Sequence, residues 1–199
     1  VQTWGIALAV VSTGFMVGGA LVAKFGLGRN PIRTMLLLCC LIGALGAVFA
    51  IREAWLLYGL GMLGFFIVLP AVEAAEQTVI QRVVPYRQQG RVFGFAMTFE
   101  AAAAPITAFL IAPLAEFWII PYMDSPAGED RWGWLLGTGD VRGLALVFVW
   151  SGVISILLAL AAFGTRAYRM LSTQYREVAA NDEKDVAEDS DPATGDRTA

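Results

Sequence analysis

Residues 54–80 read A-W-L-L-Y-G-L-G-M-L-G-F-F-I-V-L-P-A-V-E-A-A-E-Q-T-V-I. Nineteen residues pass before the first charge, Glu73. A helix that crosses a bilayer needs roughly 20 mostly apolar residues. A helix on the surface of a water-soluble domain would show a polar stripe at helical spacing, and residues 54–72 show none. Four more apolar runs lie at 3–23, 33–51, 92–116 and 143–165. Five such runs in 199 residues predict an all-α membrane protein with five transmembrane helices.

Composition agrees. Hydrophobic residues make up 57% of the chain and charged residues 16%, far from the usual soluble balance. The mean hydropathy is +0.63. The net charge of −3 comes from acids gathered after residue 180. No basic patch with interleaved aromatics points to nucleic acid. His is absent, which removes the commonest metal ligand and proton shuttle. Cys39 and Cys40 are adjacent inside an apolar run, a place where a thiol behaves as a small hydrophobe. No metal, cofactor or nucleophile–base pair is expected, and so no enzyme activity.

The loops set an orientation, because basic loops stay in the cytoplasm. Lys24, Arg29 and Arg33 follow the first run. Arg82, Arg87 and Arg91 follow the third, and Arg166, Arg169 and Arg176 follow the fifth. The alternate loops carry Arg52 with Glu53, and Arg131 and Arg142 among several acids. Val1 is expected outside and Ala199 inside a cell membrane. Trp4, Trp55 and Tyr58 then fall near the outer interface, as amphipathic rings prefer. Residues 117–142 are broken by Pro121, Pro126, Gly133 and Gly137 and are expected to form an outer loop. Residues 173–199 are acidic and poor in apolar side chains. Such a segment buries too little surface to offset its ordering entropy, so a disordered cytoplasmic tail is expected. The chain begins with an apolar run and no basic leader. That predicts a fragment starting at the outer end of a membrane helix.

Two basic loops carry a family resemblance. Residues 18–33 read G-G-A-L-V-A-K-F-G-L-G-R-N-P-I-R. This resembles the loop signature G-x-L-x-D-R-x-G-R of the major facilitator superfamily. Gly19, Leu21, Lys24 and Gly26 match in order, Ala23 replaces the acid, and Arg29 comes late. Residues 81–94 read Q-R-V-V-P-Y-R-Q-Q-G-R-V-F-G. They are similar to the loop between helices ten and eleven in the macrolide-efflux and enterobactin-export branch. The resemblance implies that the five runs are helices eight to twelve of a twelve-helix transporter, a partial six-helix bundle spanning residues 1–172. It implies as partners helices one to seven of the same transporter, the lipid bilayer and a small amphipathic substrate such as a drug or siderophore.

A charge in hydrocarbon is costly, so intramembrane acids are functional candidates. Glu73, Glu76 and Glu100 lie away from the ends of their runs. Glu73 is nine residues before Arg82 and Glu100 nine after Arg91, so the two are expected at one depth, on a proton or substrate pathway. Glu76 and Gln77 extend the stripe of Glu73. In the other reading, Glu73 and Glu76 pair with Arg82 or Arg91 and only close the inner gate. Lys24, Arg29, Arg82, Arg87 and Arg91 are the candidate gate cations. Pro70, Pro105 and Pro113 are expected to kink their helices by freeing carbonyls. The function expected is proton-coupled export by alternating access. The alternative is a membrane scaffold or accessory subunit that transports nothing.

Overall fold

The computed structural model describes residues 2–51, 55–137 and 142–189. The side chains of Trp4 and Trp55, the Arg52 and Glu53 loop, Asp140 and the acids from Asp182 onward lie outside the described residues. Every element is helical: α1 (Gln2–Phe25), α2 (Pro31–Phe49), α3 (Trp55–Val83), α4 (Tyr86–Leu114), a π turn (Ala115–Ile119), α5 (Ile120–Met123), α6 (Pro126–Leu136), α7 (Arg142–Gly164) and α8 (Arg166–Asp189).

Among the described residues, four stretches are long and apolar enough to cross a membrane: Pro31–Phe49, Leu56–Val83, Tyr86–Met123 and Arg142–Gly164. These mark a membrane-embedded protein. The first of the five expected spans does not reach that length among the described residues: the apolar helix there is the shorter Ala9–Phe25.

Local chemistry sets the helix ends. Gly26 (φ 67°) and Gly28 (φ 73°) take left-handed backbone after α1, a conformation that stops a helix without steric cost. Asn30 then caps α2: its Oδ1 accepts from the Arg33 N–H at 3.2 Å, and Pro31 supplies the preset φ of a first helical residue. Thr34 Oγ1 donates to the Leu27 carbonyl at 2.9 Å, tying the turn shut. Pro85 separates α3 from α4 because it has no N–H to extend α3.

Four helices pack in a row, in the order α1, α3, α2, α7. Small residues let the backbones approach, the usual device where lipid removes the hydrophobic drive. Gly14 of α1 faces Leu63 and Phe66, and Gly18 lies against the Ile67 carbonyl of α3. Gly61 of α3 receives Phe49 of α2. Gly43 of α2 and Gly152 of α7 abut through their carbonyls. Phe49 also packs edge-on to Tyr58, with ring centroids 5.5 Å apart, and tilted to Phe148 of α7 at 5.4 Å. Phe49 thus joins α2, α3 and α7 at one end of the bundle.

Helix α4 stands apart. None of its residues is buried, and it packs on α3 far less than α1 does. The helical stretch that it begins runs on to Met123, past residue 116, where the sequence reading ends the span. Pro113 and Pro121 each lack the N–H that a carbonyl one turn back would use. Between them the chain widens into the π turn and resumes as α5, so helical hydrogen bonding carries on past Glu116 through the apolar residues 117–120.

Residues 117–137 of the segment expected as an outer loop are largely helical. Ser125 Oγ accepts from the Gly128 N–H at 3.3 Å to start α6, and Gly137 (φ 80°) ends it. Met123, Leu136 and Leu146 form a small core with Ile119, Trp132 and Leu135 around them. This cap seats on the start of α7, where Ile120 fills the space over Gly143.

Helix α8 differs from the disordered tail expected from residue 173, because it runs to Asp189. Ser172 and Tyr175 are buried, with Tyr168, Leu171, Val178 and Ala179 half-buried. Their spacing of three and four residues makes one face, and that face lies on α2, α3 and α7.

Candidate functional site

The candidate acids sit on α3 and α4. Glu73 is ten residues before the last residue of α3, and Glu100 fourteen after the first of α4. At about 1.5 Å per residue these are depths of roughly 15 and 21 Å along the helices. Measured from the helix ends, the common depth expected from arginine spacing becomes an offset of about one turn. Glu76 and Gln77 lie one turn from Glu73 on the same side of α3. All three are exposed, whereas Ala75, between them in sequence, is fully buried. The polar stripe therefore faces away from the packed row. Glu100 is exposed too, among the exposed rings of Phe95, Phe99 and Phe109.

The structure does not bring the acids of α3 and α4 together by packing their helices side by side. The hydrogen bonds between these helices are made at the joining turn. There Gln89 Nε2 donates to the carbonyls of Gln81 at 2.8 Å and Val84 at 3.1 Å. Among the described residues, no ion pair joins Glu73 or Glu76 to Arg91. The neighbouring hydroxyls are occupied locally: Thr78 Oγ1 donates to the Ala74 carbonyl at 2.6 Å and Thr98 Oγ1 to the Gly94 carbonyl at 2.7 Å. Such back-bonding favours slight helix bending. Helices α3 and α4 run unbroken through Pro70, Pro105 and Pro113. Pro70 is buried, while Pro105 and Pro113 are exposed.

The candidate gate cations share one end of the bundle, here termed the basic end. Lys24 closes α1, with its Nζ 5.4 Å from the Phe25 ring centroid. Arg29 lies exposed in the α1–α2 turn. Arg82 closes α3 and stands over the Tyr175 ring of α8 at 5.3 Å. Arg87 and Arg91 are exposed in the first turns of α4. Cations favour helix C-termini, so Lys24 and Arg82 suit their dipoles. Arg33, Arg87 and Arg91 lie at N-termini, against the dipole, so a demand other than helix stability places them there. The positive-inside bias is such a demand.

A pathway of this kind needs carboxylates that can take a proton or a cation, and the stripe on α3 supplies two with an amide beside them. Among the described residues, no group of three or more His, Cys, Asp or Glu side chains is placed to hold a metal. Sequence reasoning missed the contacts of α8 with Asn30 and Arg82. Their signal was the spacing of Tyr168, Leu171, Ser172, Tyr175 and Val178. Comparison of the chain with protein-family models, curated proteins and solved structures finds no match.

Proposed function

We propose that the chain is the bundle of helices eight to twelve of a proton-coupled secondary transporter of major facilitator type. It would export a small amphipathic molecule across a cell membrane, with the C-terminus cytoplasmic. One observation carries this reading. The acids Glu73, Glu76 and Glu100 are exposed on helices of membrane-crossing length, on faces that the packed row leaves open. Acids facing lipid there would be costly, so a hydrated cavity shared with further helices accounts for them. In alternating access, a second bundle rocks against this one around that cavity. Helices one to seven would supply the second bundle and complete the first. Glu73 and Glu100 would take up and release protons. Lys24, Arg29, Arg82, Arg87 and Arg91 would hold the inner gate.

The exposure of α4 along its length also suits a scaffold that docks another membrane protein. Transport assays separate the two readings. The full-length protein would be reconstituted in proteoliposomes under a pH gradient, with a fluorescent lipophilic cation as reporter substrate. Glu73→Gln and Glu100→Gln are each expected to abolish gradient-driven transport while keeping expression and reporter binding. Glu76→Gln, nearer the helix end, is expected to be milder. Wild-type rates in both deep variants would refute proton coupling through these acids. No transport by the wild-type protein of any amphipathic reporter would favour the scaffold.

A further inference from the structure

We propose that α8 is a clasp that holds the basic ends of α2 and α3 together. The clasp goes beyond the transport reading and stands or falls without it. Helices α2 and α3 are neighbours that follow one another in the chain, and at the end where they connect Phe49 seats on Gly61. At the basic end no covalent link joins them: α2 comes from α1, and α3 leads to α4. Helix α8 spans that open end with two contacts from one face.

The first contact is a hydrogen bond. Asn30 Nδ2 donates to Ser172 Oγ at 2.7 Å. Ser172 is 3% exposed, so water competes little for either partner. The same Asn30 caps α2 through Oδ1, so both ends of one amide are in use, one fixing α2 and the other fixing α8. The second contact is one helical turn on. The Tyr175 ring, on a residue 6% exposed, lies under the guanidinium of Arg82 at 5.3 Å. Arg82 precedes the final residue of α3. Residues three apart on a helix share a face, so Ser172 and Tyr175 address the ends of two different helices at once. Arg176 Nε donates to the Ser172 carbonyl at 3.3 Å, stiffening the turn that carries both. Undocking α8 would remove both of these contacts from the two helix ends at once.

Hydrogen exchange on the full chain in lipid nanodiscs tests this. The double variant Ser172→Ala, Tyr175→Ala removes both contacts. Alanine is the best helix former, so the intrinsic helix tendency of α8 does not fall. A neutral hydrogen bond and a cation–π contact are each worth a factor of a few, so amides of residues 168–181 should exchange roughly tenfold faster. The clasp requires amides of residues 34–37 in α2 and 79–83 in α3 to speed up as well, while the middle of α7 keeps its wild-type rate. Tyr175→Phe keeps the ring and is expected to exchange like wild type. Faster exchange confined to α8 would overturn the clasp and leave a passively docked tail. Unchanged exchange in α8, or a Tyr175→Phe variant that exchanges as fast as Tyr175→Ala, would overturn it too.

Discussion

A methyl group added at Gly43 tests the packed row where α2 meets α7. A Cβ built there meets the Gly152 carbonyl oxygen at 2.8 Å, Ile156 Cγ1 at 3.1 Å and Ser155 Cβ at 3.2 Å. The first neighbour is backbone and cannot rotate away. A comfortable non-bonded contact is about 3.5 Å, so α2 and α7 must part by roughly 0.7 Å or bend. Overpacking of this kind costs about 1–3 kcal/mol. Gly→Ala in a helix interior returns about 1 kcal/mol through backbone entropy. Gly43→Ala should therefore destabilise by about 1 kcal/mol net. Gly46, one turn along the same helix, has nothing within 4 Å of its Cβ position. Gly46→Ala should stabilise by up to about 1 kcal/mol. The pair differs in sign within one helix, which cancels errors common to both. Equilibrium unfolding by SDS titration in mixed micelles, followed by tryptophan fluorescence, measures the difference. A Gly43→Ala variant as stable as Gly46→Ala would refute the crossing of α2 on α7.

Other expectations follow from the same geometry. Gly18→Ala should destabilise and Gly19→Ala should not, because a Cβ at Gly18 crowds the Ile67 carbonyl and one at Gly19 meets open space; the same SDS titration reads both. Ser125→Ala should cost about 1 kcal/mol as a lost N-cap, seen as faster hydrogen exchange confined to α6. An impermeant thiol reagent added to intact cells should label a cysteine at position 127 and spare one at position 87, in a background without Cys39 and Cys40. The reverse pattern would invert the orientation. On the half-transporter reading proposed above, residues 1–199 alone in proteoliposomes should give no uptake or efflux, because alternating access needs two bundles; robust transport by them would refute that reading.

How much of this was legible in the sequence depended on which force made each element. The runs read at 33–51, 54–80 and 143–165 lie close to α2 (Pro31–Phe49), α3 (Trp55–Val83) and α7 (Arg142–Gly164). The bilayer imposes a length and a composition, and both are written locally. The stretch that α4 begins outran its reading because that reading stopped at the single charge Glu116, while the apolar residues 117–120 carry the helix through the π turn to Met123. Helix α8 was hidden by averaging. The acids after residue 180 dominate the composition of 173–199, while the periodic face that docks ends near Ala179. The candidate site was legible in its residues and not in its arrangement. In water, a buried face announces itself by periodicity, because the other face must be polar. In a membrane, lipid and neighbouring helices are both apolar, so helix packing leaves little periodic trace. The exposed side of α4 reads like a side that packs. Arginine spacing put Glu73 and Glu100 at one depth, whereas the helix ends set them about one turn apart. Whether two helices stand side by side at that depth depends on small residues meeting across a crossing. The row from α1 to α7 has such crossings at Gly18, Gly61, Gly43 and Gly152. In α4, Gly90 and Gly94 have nothing within 4 Å, so the chain carries Glu100 without the contact that would seat it against α3.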